Sequence, residues 1–161
     1  MPEDASPSAS RAAVAAWEAL FRAQAALVRR FAAEDVWGPI SLREHDVLHV
    51  LTTTPGARAR LGALTDQVLL PQPSLSRLVE RLEAKGLVTR ESDPADRRGV
   101  VVSLTAAGAA VQQEVGRRHA ASVAAHLGAA LDADQLAELQ RLCAAVLAGA
   151  AAGPPEPPSP S

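Results

Sequence analysis

The sequence contains very few aromatic residues: two Trp, two Phe and no Tyr among 161 residues. This scarcity argues against a carbohydrate site lined by aromatic rings and against a sheet that stacks RNA bases on aromatic side chains. The single cysteine excludes an internal disulfide and a zinc site built from several thiolates. The acidic, polar first ten residues do not resemble a signal peptide, and no run of 18 strongly apolar residues could cross a membrane. We therefore expect a cytoplasmic protein that makes no membrane contacts.

Alanine supplies much of the apolar content, with 35 alanines in a chain that is 48% hydrophobic. Because alanine favours helices and disfavours strands, this composition predicts a mainly α-helical core of Leu, Val and Ala. The length fits one domain. Residues 1–9 and 151–161 lack the apolar side chains that would offset the entropy of ordering, so we predict two disordered tails.

Apolar spacing predicts three helices in the first part of the chain. Residues 10–35 carry apolar side chains at steps of three and four, which indicates one long amphipathic helix. Ser41 followed by Glu44 is a capping-box pattern for a second helix, which should end before Pro55. A short third helix is predicted over residues 61–69.

The segment that follows is the most informative part of the sequence. Residues 72–85 predict an amphipathic helix with a buried apolar stripe and a polar, basic outer face. Residues 87–90 and 100–104 predict two strands of a β-hairpin around a turn at 93–99. A helix of about 25 residues should start at Thr105, and Asp132 should cap a last helix that extends to about residue 149.

This element order predicts a mainly α fold with a small β-hairpin wing. Residues 41–104 form a winged helix-turn-helix, with a recognition helix at about 72–85 and a wing at about 87–104. The helical segments 10–40 and 105–150 complete a six-helix chain. Their apolar surface exceeds what one small winged helix can cover, so we assign them to dimerisation. A 25-residue helix is about 37 Å long, which suits two recognition helices separated by one DNA turn of about 34–36 Å.

The distribution of charge favours DNA as the partner. The whole chain has a net charge of −2, but residues 58–101 carry +2 and each flanking part carries −2. An exposed helix fits the major groove, and adjacent arginines at a hairpin tip can contact phosphates or enter a narrow minor groove.

The segment RLVERLEAKGLVTRESDPADRRGVVVSLTAAG (77–108) resembles the MarR family of bacterial transcriptional regulators. The wing pattern of that family is Asp, any residue, Arg, three residues, Val, any residue, Leu-Thr. It matches without a gap at Asp96, Arg98, Val102, Leu104 and Thr105. The resemblance implies a homodimer in which two winged helices bind a pseudo-palindromic operator. The proline residues that flank Gln72 depart from the family, which more often has Ser there.

The outer face and the wing supply the candidate DNA-binding residues. The resemblance implies that Arg98 reaches the minor groove and that Asp96 orients it; the alternative is a simple surface pair. Arg77 suits a guanine or a phosphate, or else an ion pair with Glu80. Arg58 and Arg60 suit a phosphate clamp or an exposed strand. The full DNA-binding set is Gln72, Ser74, Ser76, Arg77, Arg81, Asp96, Arg97 and Arg98.

The resemblance also implies an effector that binds between the dimerisation helices and the winged domain. Trp17, Phe21, His45 and His49 are the candidate lining residues for a small phenolic or other apolar ligand; the alternative is that they are core residues. Two histidines at i, i+4 can bind zinc, which leaves a zinc-responsive regulator of the same fold as an alternative. With Glu44, Glu114 and His119 they loosely resemble a zinc-sensing branch of the family, although ordinary polar histidines are more common. No cofactor is required.

These patterns predict a dimeric, sequence-specific DNA-binding repressor that is relieved by a small molecule. One alternative is a DNA-binding protein without a ligand, and another is a winged helix that binds protein. The sequence contains no G-x-S-x-G pattern and no phosphate-binding loop, so we do not expect an enzyme.

Overall fold

The computed structural model describes residues 7–68, 70–94 and 96–151, without the side chains of Pro7, Arg97 and Arg98. Its described part contains six α-helices, and a 3-10 turn at Pro55–Ala57 precedes the first of three strands. The helices are α1 (Pro7–Ala32), α2 (Leu42–Thr53), α3 (Leu61–Val68), α4 (Gln72–Ala84), α5 (Ala106–Ala130) and α6 (Ala133–Ala151). The strands are β1 (Arg58–Arg60), β2 (Val88–Asp93) and β3 (Asp96–Leu104), in the antiparallel order β1-β3-β2. The predicted fold class is confirmed.

The chain divides into two compact units, Met1–His119 and Ala120–Ser161. The core of the first unit lies between α2, α3, α4 and the sheet. Its fully buried side chains come from all of these elements, and the stripe predicted on α4 is among them. They include Leu48, Leu51, Leu64, Leu75, Leu78, Val79, Leu82, Val88 and Val102.

Local sequence signals set the ends of α2. Ser41 Oγ accepts a hydrogen bond from the Glu44 backbone N–H at 3.3 Å, and Glu44 Oε2 accepts one from the Ser41 N–H at 2.8 Å. The predicted capping box is therefore confirmed. The helix stops at Thr53 because Pro55 disfavours a helical conformation at Thr54, which is extended.

Several predicted boundaries are wrong. α1 begins at Pro7, so residues 7–9 are helical rather than part of a tail, and α6 includes Ala151. The strands of the wing are longer than expected, because β2 continues to Asp93 and β3 begins at Asp96. The predicted turn at 93–99 is thus mostly strand, since backbone pairing continues through an irregularity at Ser92/Asp93. Residues 1–6, Leu69 and residues 152–161 of the predicted elements lie outside the described residues.

The start of α5 is hydrogen-bonded to the residues that directly follow α4. Thr105 Oγ1 donates to the Gly86 carbonyl at 2.8 Å, and the Thr105 N–H donates to the Leu87 carbonyl at 3.1 Å. A Cβ at Gly108 would lie 2.0 Å from the Leu87 carbonyl oxygen, so only glycine allows this approach. The recognition helix and the long helix therefore meet at a tight backbone junction.

Several long apolar side chains outside the winged helix are exposed in the single chain. On α1 they are Val14, Trp17, Leu20, Phe21 and Val28. On α6, in the second unit, they are Leu139, Leu142, Val146 and Leu147. Asp132 caps α6 as predicted, through a hydrogen bond from the Gln135 N–H to its side chain at 2.9 Å. Among the described helices, none combines the length and apolar character needed to span a membrane.

Candidate nucleic-acid interface

The outer face of α4 is polar and carries two exposed arginines. Gln72, Ser74, Arg77 and Arg81 are exposed, while Ser76 is half-buried. Arg77 and Arg81 lie one turn apart, and Arg81 Nη1 donates to the Arg77 carbonyl at 3.3 Å. The helix starts at Pro71, whose side chain makes no capping hydrogen bond. The predicted set of recognition-helix residues is thus brought together on one helix.

Arg90 of β2 neutralises the acidic residues on one flank of α4. Its guanidinium lies 2.6 Å from Glu83 Oε2 and 3.5 Å from Glu80 Oε1. The hydrogen bond from Arg90 lowers the pKa of Glu83, although burial opposes the shift. Glu80 therefore pairs with Arg90 rather than with Arg77, and Arg77 forms no ion pair within the described part of the chain. Arg77 therefore faces little competition from neighbouring carboxylates, whereas Arg81 Nε lies 3.8 Å from Glu44 Oε1.

A buried carboxylate anchors the C-terminal end of α4. Glu44 of α2 is only 3% exposed, and Lys85 Nζ donates to its two oxygens at 2.8 and 3.0 Å. Lys85 also donates to the Pro39 carbonyl at 2.9 Å. Burial alone would raise the pKa of Glu44, but the hydrogen bonds from Lys85 and Ser41 outweigh it and lower that pKa. Sequence reasoning identified Glu44 as a capping residue and missed this second role.

An ion pair across the sheet lies near the tip of the wing. Arg60 Nε on β1 lies 2.6 Å from Asp93 Oδ2 on β2, and Asp93 is 5% exposed. The observed strand β1 matches the exposed-strand interpretation of Arg58 and Arg60. A Cβ at Gly99 would lie 2.9 Å from the Asp93 Cβ, so the wing closes tightly around this carboxylate. Sequence reasoning missed both Asp93 and Gly99.

The wing positions three of the predicted DNA-binding residues at its tip. Asp96, Arg97 and Arg98 all belong to the first half of β3, and Asp96 is exposed. The side chains of Arg97 and Arg98 lie outside the described residues, so the predicted orientation of Arg98 by Asp96 stays a prediction.

An open cleft of about 1000 Å³ lies between α1, α2 and α3 in the first unit. Of the four predicted effector residues, His49 lines it. Trp17 and Phe21 are 63% and 57% exposed and do not line it, and the alternative that they belong to the core is wrong for the single chain. The lining combines apolar, cationic and acidic groups, including Val28, Arg29, Trp37, Ile40, Arg43, Asp46 and His49.

His45 is buried in a histidine–aromatic cluster, formed by His45, His119, Trp37 and Phe31. The His45 and His119 ring centroids are 5.6 Å apart, and Trp37 lies 4.8 Å from His119. Neither ring nitrogen of His45 has a hydrogen-bond partner in the described part of the chain. Burial lowers the pKa of His119, and His45 adds to that effect. Trp37 contacts both histidines and Phe31 contacts His119, and no local sequence pattern predicted either contact.

The zinc alternative gains no support from these side chains. Across the described residues, no three His, Cys, Asp or Glu side chains are arranged to hold a metal ion. Glu114 is instead bonded to Arg117 and Arg118, which lower its pKa.

A helix-turn-helix with an exposed basic recognition helix and a three-stranded wing defines the winged helix-turn-helix class. The MarR family model matches residues 39–99. Over this segment the chain resembles the MarR family, as its sequence predicts. It is 36% identical to the multiple antibiotic resistance protein MarR of Salmonella typhimurium over 74 residues, 46% of this chain and 51% of that protein. The match therefore spans about half the length of this curated relative.

Two solved structures resemble most of the chain. The first is Sco3205, a MarR family transcriptional regulator from Streptomyces coelicolor in complex with DNA. It has 25% identity and a TM-score of 0.74, covering 83% of this chain and 84% of that one. The second is the PcaV transcriptional regulator from Streptomyces coelicolor in complex with its natural ligand. It has 27% identity and a TM-score of 0.64, covering 83% and 89% of the two chains.

Proposed function

We propose that this protein is a transcriptional regulator that binds a specific DNA sequence through α4 and the wing. The exposed arginine pair on α4 carries this proposal, because Arg90 neutralises the nearby Glu80 and Glu83. Arg77 and Arg81 suit guanine edges and phosphates, and Gln72 suits an adenine edge. Ser74 and Ser76 can donate to phosphates. Arg97 and Arg98 of the wing contact the backbone or the minor groove, with Asp96 as the orienting acid.

The DNA-binding form is a homodimer on a pseudo-palindromic operator. Trp17 and Phe21 on α1, and Leu142, Val146 and Leu147 on α6, expose large apolar side chains that a partner subunit would cover. Sco3205, which has a similar fold, was solved in complex with DNA, and this supports the DNA-binding part of the proposal. Sedimentation of the full chain tests it, and a species of one chain at micromolar concentration would contradict it.

We further propose that the protein is a repressor that a small ligand releases from DNA. The cleft between α1, α2 and α3 is large enough for a small aromatic compound, and Arg29 and Arg43 suit an acidic substituent. PcaV, which shares the fold, was solved with its natural ligand. A ligand releases DNA when it binds more tightly to the dimer whose recognition helices are wrongly spaced. This function needs no catalytic step and no cofactor, and we expect it in the cytoplasm.

Selection from a random DNA pool, followed by fluorescence anisotropy on the selected duplex, tests DNA binding. Arg77→Ala and Arg98→Ala should each weaken binding by about 1–3 kcal/mol while the dimer remains folded. Arg141→Ala is a matched control, because it removes one exposed arginine that pairs with Glu138 on α6. Selection of no sequence, or binding that is independent of salt, would contradict the proposal and favour a winged helix that binds protein.

A further inference from the structure

The two ends of the recognition helix are held differently. At the N-terminal end, Pro71 provides no side-chain cap. At the C-terminal end, Lys85 donates to two oxygens of Glu44 and to the Pro39 carbonyl, which matches the three donors of an ammonium group. The strongest directional contacts of α4 are therefore at its C-terminal end. The first residues that face DNA are at its other end.

Apolar packing determines which face of α4 is buried, but it sets the exact rotation of the helix about its axis only coarsely. The buried stripe of Leu75, Leu78, Val79 and Leu82 packs against the core, and apolar attraction is not directional. Charged hydrogen bonds are directional. Arg90 supplies one such contact, but Glu80 and Glu83 are partly exposed, and exposed ion pairs contribute little. Glu44 supplies the other one, and its carboxylate is buried.

The anchored side chain lies on the same strip of the helix as the two DNA-facing arginines. Arg77, Arg81 and Lys85 are spaced by four residues, so they follow one line along the helix surface. Arg81 Nε also lies 3.8 Å from Glu44 Oε1. A rotation that separates Lys85 from Glu44 would therefore turn Arg77 and Arg81 by the same angle.

We propose that Glu44 is a positioning residue for DNA recognition: by holding Lys85, it sets the rotation of α4 and thereby the direction in which Arg77 and Arg81 face. Glu44 itself does not touch DNA in this arrangement. The proposal rests on the DNA-binding function proposed above and adds a residue outside the recognition helix to it. Ser41 completes the arrangement, since its N–H donates to Glu44 and keeps the carboxylate in place.

The test measures affinity for two duplexes: one selected by the wild-type protein from a random pool, and one of equal length and composition with a scrambled sequence. Glu44→Gln preserves the shape of the side chain and removes its charge, and Lys85→Met removes the donors but keeps most of the stem. Both should lower affinity for the selected duplex at least about ten-fold, equivalent to ~1.4 kcal/mol. Affinity for the scrambled duplex should change much less, because it depends on phosphate contacts.

The direction of the change in DNA affinity distinguishes a positioning role of Glu44 from a purely electrostatic one. Glu44→Gln makes the protein more positive by one charge, so a purely electrostatic role predicts tighter binding to both duplexes. Glu114→Gln is the matched control, because it removes an ion-paired carboxylate on α5. It should leave the ratio of the two affinities unchanged. Lys85→Arg keeps the positive charge, so it should retain part of the preference for the selected duplex that Lys85→Met loses.

Two results would overturn the proposal. One is an unchanged ratio of affinities in both Glu44→Gln and Lys85→Met. The other is a fall in melting temperature without any change in the affinity of the folded dimer, which would indicate a purely structural role. If Glu44→Gln does not fold, the surface variants Lys85→Met and Lys85→Arg decide the question. Failure of the wild-type protein to select any sequence would instead reject the DNA-binding function itself.

Discussion

The winged helix and the last helix of this protein bury their apolar residues to very different extents. In the winged helix, side chains from α2, α3, α4 and the sheet are fully enclosed within one chain. On α6, none of the described residues is buried, and four large apolar side chains are exposed. The winged helix thus has an enclosed apolar core within one chain, whereas the apolar side chains of α6 are uncovered in the single chain.

The comparison distinguishes stability that comes from contacts within one chain from stability that comes from association of two chains. Contacts within the winged helix do not depend on protein concentration, because both partners belong to one chain. Contacts made by the exposed residues of α6 in a dimer would depend on concentration, since association stabilises the folded state by mass action. Substitutions in the two regions should therefore respond differently when the protein is diluted.

The largest effect is expected for Gly108→Ala, at the junction of α5 with the start of the wing. The new Cβ would lie 2.0 Å from the Leu87 carbonyl oxygen and 2.8 Å from Leu104 Cδ1, so the backbone must move. We expect a loss of about 3 kcal/mol in the free energy of unfolding, measured by urea denaturation.

Gly128→Ala, in the same helix, is the matched control. A Cβ at Gly128 meets nothing within 4 Å in the single chain. Alanine should therefore stabilise the helix by about 0.5–1 kcal/mol. A loss of stability at Gly128 that grows with protein concentration would instead show that a partner chain covers this position.

The next effect concerns the exposed face of α6. Leu142→Glu and Leu147→Glu place a charge where we propose that a partner subunit packs, and a charge buried without a partner is costly. Each should weaken dimerisation at least ten-fold, about 1.4 kcal/mol, in sedimentation experiments. The winged helix should stay folded. An unchanged dimer would place the interface elsewhere.

Local patterns allowed much of the fold to be predicted. The capping box of Ser41 and Glu44 spans three residues, and the stripe on α4 repeats every three or four, so both are readable from a short window of sequence. The contacts that position the DNA-binding residues instead join residues that are far apart in the sequence. Lys85 is 41 residues from Glu44, and Asp93 is 33 residues from Arg60. Only the tertiary fold determines which of several similar charged side chains form ion pairs with each other.

The same reasoning explains the errors in the wing and the effector site. The turn at 93–99 contains Asp, Pro and Gly, which favour turns, but pairing with β2 overrides that preference in β3. Trp17 and Phe21 were candidates because the family resemblance implies an effector between the dimerisation helices and the winged domain. The structure instead places Trp37 at the cleft, because its Nε1 donates to the Phe31 carbonyl at 2.7 Å and fixes the ring between α1 and α2.

A smaller effect is expected for Gly99→Ala near the tip of the wing. The added Cβ would lie 2.9 Å from Asp93 Cβ and 3.1 Å from the Asp96 carbonyl oxygen. We expect a loss of about 1–2 kcal/mol in the free energy of unfolding, together with weaker DNA binding, because the wing must shift. Gly62→Ala, where a Cβ meets nothing within 4 Å, should leave DNA binding unchanged. Equal effects of the two substitutions would show that Asp93 does not restrict the wing.

The smallest effect is a pH dependence of stability that arises in the first unit, Met1–His119. Burial lowers the pKa of His119, and the neighbouring His45 adds to this effect, so the folded state resists protonation at this ring. The unfolded chain takes up a proton near its ordinary pKa of about 6.5. Stability should therefore fall as the pH drops below that value, until the folded pKa is also passed. Urea denaturation between pH 8 and pH 5 measures the slope, and His119→Gln should flatten it. His126→Gln, outside the histidine–aromatic cluster, should leave most of the slope in place, and a slope carried by His126 would show that the cluster does not control it.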